Sequence, residues 1–383
     1  MPRLDPSFYP DPATLRLRGV HRAVAELRRG IAVILQGADG QPGAIMIAAE
    51  TAGASGLREF APLASAPPVL VLGAMRAAAL LRRPLASFSA AMPAPSGPVA
   101  LAFRTGALLD PANLRGLADP TATQLIQDPP TPAPLPPLAS AALALVKLAR
   151  LLPATLVSPV DPALDPPRLS LLSVPAADIL AHSDAEAAVL VRVAEAAIPL
   201  EEAAGARLIA FRAPDAGIEH LAIVIGQPER AEAPLVRLHS ECFTGDLLGS
   251  LRCDCGPQLR AAVARIAAEG AGVVLYLAQE GRGIGLASKL RAYELQDTGL
   301  DTLDANRALG WYADERNFLV AATMLRALGL QRIRLLSNNP DKLAALAASG
   351  IEIAGRERLV IPPNGVNDSY LATKAKRFGH LLG

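Results

Sequence analysis

At 383 residues and 39.8 kDa the chain is too long for one typical domain and suits two of about 100–200 residues each. Hydrophobic residues make up 51% against 19% charged, enough apolar surface for sizeable cores and too much for general disorder. Lys and Arg number 37 against 36 Asp and Glu, so a formal charge of +1 gives no global attraction for nucleic acid or an anionic membrane, and any phosphate site has to be local.

The N-terminus, Met1-Pro2-Arg3-Leu4-Asp5-Pro6, has no basic stretch leading into an apolar one, so no secretory signal is read there and a cytoplasmic protein is expected. Residues 1 to about 182 are rich in Ala, Pro and Leu, and the proline run 129–137 reads as a long loop or internal linker. Residues 137–160 are the most membrane-like, but Lys147 and Arg150 fall inside them and would be costly at a bilayer centre. A second proline-dense stretch, 159–167, precedes an apolar run at 169–174 that reads as a short buried strand.

From about residue 190 the pattern reads as alternating strands and helices. Gly272–Leu277 and Arg332–Leu336 have the length and apolar content of strands. Residues 257–269 read as a helix with Leu259, Val263 and Ile266 on one face, Pro257 suited to its first position and Gly270 to its stop. Helices are also expected over 317–328 and 341–348, which makes the C-terminal half α/β.

All 3 cysteines lie in one short run, Cys242, Cys253 and Cys255, which excludes a disulfide framework and suggests a metal or redox centre. Cys253 and Cys255 could converge in a strand or in a turn. Three thiolates would leave a fourth tetrahedral position for water, as in a catalytic zinc site, while His239 or another histidine would close the set as a structural one. Spacing alone leaves these two open, with unrelated buried thiols as the third reading. The turn Gln279-Glu280-Gly281-Arg282-Gly283-Ile284-Gly285 offers backbone N–H groups and a cation to an anion, although such turns are often merely tight. Asp314-Glu315-Arg316 has the composition of a helix start, and Ser337-Asn338-Asn339-Pro340-Asp341-Lys342 that of a strand-to-helix turn. Arg356, Arg358, Lys374, Lys376 and Arg377 make the closing segment locally basic, as a solvated face also would.

Taken together, the strings RLHSECFTGDLLGSLRCDCG, QEGRGIGL, KLRAYELQD, DTLDAN, ADERNF, LLSNNPDK and LATKAKRFGHLL resemble the GTP cyclohydrolase II family over about residues 190–383. The resemblance implies a zinc-containing α/β domain that opens the imidazole ring of GTP at the start of riboflavin biosynthesis. It implies one Zn²⁺ per subunit on Cys242, Cys253 and Cys255, and Mg²⁺ with the triphosphate. It assigns GTP binding to Arg237, Leu238, His239, Ser240, Glu241, Gln258, Glu280, Gly281, Arg282, Thr302, Ser337 and Lys342. Asp314 matches the proposed proton acceptor and Arg316 the proposed nucleophile toward the α-phosphate, while Tyr293 matches a tyrosine tied to completing ring opening. A guanidinium has no available lone pair near neutral pH, so Arg316 is read here as serving phosphate chemistry, with the covalent step left open. Ser337 replaces the family's usual threonine and keeps the hydroxyl, whereas Ala278 stands where arginine is common. A homodimer is expected. The rival readings are a related cyclohydrolase that stops at a formylated intermediate or serves another pathway, and a GTP-binding regulatory module with structural zinc.

More faintly, residues 1–185 resemble 3,4-dihydroxy-2-butanone 4-phosphate synthase in GVHRAVAELRRGIAVIL, MIAAE and ALALVKLARLLPATLV. That reaction needs an acidic run for Mg²⁺. The matching stretch, Gln36 to Ala44, offers one carboxylate, Asp39, so a scaffold that has lost its reaction is expected. The expectation is thus two α/β domains, 1–185 and 190–383.

Overall fold

The computed structural model describes residues 10–38, 40–81, 98–103, 106–126 and 130–366, so Asp39 and the basic residues Lys374, Lys376 and Arg377 lie outside the described residues. In chain order the strands are β1 (Val33–Gln36), β2 (Ala44–Ala48), β3 (Val69–Gly73), β4 (Pro98–Ala102), β5 (Thr131–Ala133), β6 (Ala154–Pro159), β7 (Leu172–Pro175), β8 (Val191–Ala197), β9 (Arg207–Arg212), β10 (Glu219–Ile225), β11 (Leu235–Ser240), β12 (Gly272–Leu277), β13 (Arg332–Leu336) and β14 (Glu352–Glu357). The helices are α1 (Pro12–Arg28), α2 (Ala54–Phe60), α3 (Ala74–Leu81), α4 (Pro111–Ala118), α5 (Ala139–Leu148), α6 (Ala176–Ala188), α7 (Cys255–Glu269), α8 (Leu286–Asp297), α9 (Thr302–Ala308), α10 (Leu319–Ala327) and α11 (Pro340–Ala348). Among the described residues no helix is long and apolar enough to cross a membrane.

Two compact units emerge. The first comprises Met1–His182, Ala287–Leu300 and Asp304–Ala313, and the second Ser183–Leu286, Asp301–Leu303 and Asp314–Gly383. No single cut of the sequence produces this division, because most of 287–313 is counted with the N-terminal half.

The first unit is built on a seven-stranded sheet, order β5-β4-β3-β6-β2-β1-β7, antiparallel throughout except for the β1–β7 pair. β2 is buried at every position because both of its faces are covered. Met46 and Ala48 meet Val20, Leu27 and Leu145 from α1 and α5, while Ile47 on the other face approaches Gly56 of α2. α1 starts where Asp11 caps it, accepting from the backbone N–H groups of Ala13 at 2.9 Å and Thr14 at 3.1 Å. The proline run expected as a linker contains β5, which holds Pro132 because an edge strand has one neighbour, here β4. The strand expected at 169–174 is shifted to β7, and Pro166–Leu169 form a 3₁₀ turn before it.

In the second unit the sheet order is β14-β13-β11-β12-β10-β9-β8. The expected alternation of strand and helix begins only after β10. β8, β9 and β10 form an antiparallel meander, and β10 also pairs antiparallel with β12. From β12 through β11 and β13 to β14 the pairs are parallel. One face packs Val236, Leu238, Val273 and Leu275 under α10, the other Leu235 and Val274 under Ala262, Val263 and Ile266 of α7. α7 starts two residues earlier than the proline suggests: Asp254 stands at its N-cap, and Pro257 falls within the first turn, where backbone N–H groups have no helical partner. Gly270 ends it in the left-handed conformation, φ 90°.

Candidate active site

β11 sets up the site by its period of two. Leu235, Arg237 and His239 point to the α7 face, and Val236 and Leu238 to the α10 core. Leu238 is therefore able to offer a ligand only its backbone, and its carbonyl accepts from Lys342 Nζ at 2.7 Å. Arg237 is buried. Its Nη1 donates to the Leu336 carbonyl at 3.0 Å and its Nη2 to Gln258 Oε1 at 2.5 Å, while Gln258 Nε2 donates to Asp254 Oδ2 at 2.5 Å. Burial pulls the Arg237 guanidinium down to about 10, against the pull of Asp254, so it stays cationic at neutral pH. Both Arg237 and Gln258 thus tie the start of α7 to the sheet.

β11 ends at Ser240, and two residues later Cys242 meets the other thiols. Its sulfur is 3.7 Å from that of Cys253, and all three thiol sulfurs lie within 4.8 Å of one another. Four ligands at a Zn–S distance of about 2.3 Å in tetrahedral geometry would stand about 3.8 Å apart, so the cluster fits a metal ion of that kind. Cys253 lies in the turn before α7 and Cys255 is its first residue, the turn geometry rather than the strand. A Cβ on Gly245 would fall 2.7 Å from Cys253 Sγ and 3.0 Å from Cys242 Sγ, so the turn 243–247 roofs the cluster only because that residue has no side chain. Hydrogen bonding to Cys242, together with burial, pushes the Cys253 thiol up, against the pull of Cys255. Three thiols this crowded need a cation to ionise together.

The turn is tied down by a residue that the sequence analysis does not single out. Asp246 accepts from the backbone N–H of Cys242 at 2.9 Å and from the Tyr276 hydroxyl at 3.0 Å, and His239 Nε2 stands 3.1 Å from both of its oxygens. Burial pulls His239 down despite this carboxylate, so its neutral ring donates Nε2–H to Asp246 and is not placed to complete the thiol set through that nitrogen. The one available signal is an acid four residues after Cys242. Glu280 plays a similar part: its Oε2 accepts from the Phe243 N–H at 2.7 Å and its Oε1 from the Gly281 N–H at 2.9 Å.

The glycine turn after β12 is kinked, with Gly281 and Arg282 both left-handed at φ 62° and 65°. Gly283 passes so close to the next cluster that an added Cβ would sit 2.9 Å from the Glu315 carbonyl. Asp314 and Arg316 are not a helix cap, because α10 begins at Leu319. Instead they form a forked pair: Arg316 Nε donates to Asp314 Oδ1 at 2.8 Å and Nη2 to Oδ2. Burial raises the Asp314 carboxyl, but the Arg316 hydrogen bonds and charge outweigh it and hold it below its ordinary value. Arg316 Nη1 reaches the Ser240 hydroxyl at 3.3 Å. Its guanidinium stands 5.0 Å from the ring centre of Phe318 and the Lys342 ammonium 5.9 Å, so an aromatic ring outside the expected set spaces two cations. Ser337 is buried, its hydroxyl accepting from the Asn339 N–H at 3.1 Å. Gln279, singled out only as part of the glycine turn, is buried with Nε2 donating to the Asn317 carbonyl at 2.8 Å.

The second unit thus gathers the thiols, Arg237 to Glu241, Gln258, Glu280 to Arg282, Asp314, Arg316, Ser337 and Lys342. Thr302, the first residue of α9, is counted with it. Tyr293 is on α8 in a segment of the first unit, with the Lys289 ammonium 5.7 Å from its ring centre.

A family model described as GTP cyclohydrolase II matches residues 191–358. The GTP cyclohydrolase-2 of Azospirillum brasilense is 46% identical, with 96% of this chain and 94% of that one covered. That of Pasteurella multocida is 50% identical over 50% of this chain and 87% of its own length. Among solved structures, a two-domain 3,4-dihydroxy-2-butanone 4-phosphate synthase from A. baumannii covers 90% of this chain and 99% of its own at 19% identity and a TM-score of 0.35, a score too low to bear on the fold. A likeness as high as the first of these, along almost the whole of both chains, means that the chain belongs to the GTP cyclohydrolase II family.

Proposed function

We propose that the chain opens the imidazole ring of GTP by hydrolysis, releasing formate and pyrophosphate and leaving a diaminopyrimidine ribosylamine monophosphate, the first step of riboflavin biosynthesis. The observation that carries this reading is the end of β11: Ser240 lies 3.3 Å from the Arg316 guanidinium, and two residues on, Cys242 lies 3.7 Å from Cys253. A metal centre and a phosphate-suited cation therefore share one strand end. Cys242, Cys253 and Cys255 would hold Zn²⁺, which would supply Lewis acidity for hydrolysis at neutral pH. Mg²⁺ accompanies the triphosphate as counter-charge.

The chain's own residues divide the remaining work. Arg316, fixed by Asp314 and Ser240, holds positive charge where the α-phosphate is handled. A guanidinium paired with a carboxylate held below its ordinary value is a cation with no lone pair to give, so its part is charge stabilisation. Lys342 and Arg282 add charge for the other phosphates. Glu280, Arg237, His239 and Ser337, buried and bonded within the chain, and Gln258, half-buried, act by shaping the walls. Tyr293 serves the completion of ring opening. The first unit is read as a synthase-like scaffold without its own reaction, in keeping with the Azospirillum relative, which shares this half of the chain and is named for cyclohydrolase alone. A cytoplasmic homodimer completes the reading, and Phe243, Leu247, Leu248 and Leu251, all exposed, are the apolar surface a partner copy would cover.

The test is incubation of the zinc-loaded chain with GTP and Mg²⁺ and identification of the products by mass. Formate, pyrophosphate and the deformylated pyrimidine are expected in equal amounts. GTP left intact, or a product that retains the formyl group, would overturn this assignment.

A further inference from the structure

The first unit holds a piece of the family-matched sequence. Residues 287–300 and 304–313 lie inside the 191–358 match yet pack with the N-terminal half. Two attachments hold them. On α8, Arg291 Nη2 donates to Glu50 Oε1 at 2.9 Å and its Nε faces Asp119 Oδ2 at 2.7 Å, with the three side chains 23%, 17% and 8% exposed. Both carboxylates are committed on their other sides too. Glu50 Oε2 accepts from the Leu152 N–H at 2.6 Å, and Asp119 Oδ1 accepts from the Thr121 N–H and hydroxyl at 2.9 and 2.7 Å. A guanidinium whose fork spans two fixed carboxylates has its helix set in rotation and height. The second attachment lies after α9. A Cβ on Gly73, at the end of β3, would stand 2.6 Å from the Gly310 carbonyl, so backbone meets backbone there. Trp311 is 2% exposed, and Lys147 lies over Tyr312 with its ammonium 3.8 Å from the ring centre.

We infer that the first unit serves the reaction as a clamp: it fixes α8, and with it Tyr293 two residues from Arg291, through Glu50 and Asp119, making Arg291 a positioning residue. Glu50, the acid of the synthase-like string MIAAE, is then a structural anion rather than a remnant of a metal site. This inference rests on the reading of Tyr293 given above.

The chain has a single tryptophan, Trp311, whose emission reports on the second attachment without reference to activity. The experiment compares the zinc-loaded full chain with the Glu50→Gln/Asp119→Asn and Gly73→Ala variants, reading kcat and KM for GTP, the ratio of formate to pyrophosphate, zinc content and Trp311 emission. The clamp predicts a kcat for formate release lower by about 10- to 100-fold, the loss that small misplacements of reacting groups cause. It also predicts a formate-to-pyrophosphate ratio below one, with KM and zinc content unchanged, and a red-shifted Trp311 emission in Gly73→Ala. A Gly73→Ala protein with red-shifted emission and an unchanged product ratio overturns the clamp, as does Glu50→Gln/Asp119→Asn with unaltered kinetics. Loss of zinc in step with activity overturns it as well, since that would be general loosening. A wild-type chain that fails to turn over GTP would instead sink the function itself.

Discussion

Arg316 has its guanidinium fixed on three sides, by both oxygens of Asp314, by the Ser240 hydroxyl and by the face of Phe318. Such a group loses little freedom when an anion arrives, which is how a preorganised charge contributes to a transition state. Arg316→Ala should lower formate and pyrophosphate release together by about 100- to 1,000-fold, the usual effect of deleting one such contact. Arg316→Lys, keeping the charge without the fork, should recover part of it. Undiminished formate release from Arg316→Ala would mean that ring opening does not wait on the phosphate step. Asp246 makes the complementary case. Its carboxylate gathers Cys242 N–H, Tyr276 and His239, so Asp246→Ala would leave the turn carrying Cys242 untethered. Zinc affinity, measured by competition with a chromophoric chelator, should weaken by about 10- to 100-fold, as for other partners of metal ligands. Asp246→Asn, which still accepts one hydrogen bond, should weaken it less, and equal affinities in all three proteins would leave Asp246 with no part in holding the metal.

The roof over the thiols comes from the short turn 243–247 and the start of α7, which meet through glycine. Gly245 lies against Cys253 and Cys242, and a Cβ on Gly256, the second residue of α7, would fall 2.3 Å from the Gly245 carbonyl. Gly245→Ala places its methyl where a sulfur already is, an overpacking that costs about 1–3 kcal/mol. Metal analysis of this variant should find less than one zinc per chain, with a lower melting temperature; full zinc occupancy would show that the turn can move aside. Neither glycine stands out in the sequence, because close approach of two backbones has no periodicity. What was legible were short apolar runs of strand length: Gly272–Leu277 and Arg332–Leu336 are strands at the bounds their apolar runs suggest. Less legible was anything decided by a neighbour. β8 is exposed along its length and held by pairing with β9, and β5 takes a proline because among the described residues only β4 flanks it. The left-handed Arg282 is met by a contact from far along the chain, beyond α8 and α9, where the Glu315 N–H donates to the Arg282 carbonyl at 3.0 Å.

Chain order gave the residues of the second unit in sequence, but not that most of 287–313 is counted with the first, since the contacts that decide it join Arg291 to Glu50 and Gly310 to Gly73 across more than half the chain. The same contacts bear on the N-terminal half as an enzyme. Moving protons on a sugar phosphate with Mg²⁺ requires carboxylate oxygens with coordination positions to spare. Glu50 has both oxygens engaged, by Arg291 and by the Leu152 N–H, and Asp119 has both engaged, by Arg291 and by Thr121. Releasing either for a metal ion would take from Arg291, 23% exposed, one of its two carboxylates, a loss that Mg²⁺, which dehydrates reluctantly, is poorly placed to offset. The full chain, given ribulose 5-phosphate and Mg²⁺, should therefore yield no formate or four-carbon phosphate above a protein-free control. A turnover that is abolished by Glu50→Gln, or by Asp39→Asn in the one-acid stretch, would show that fewer carboxylates suffice, and would make the chain an enzyme in both halves.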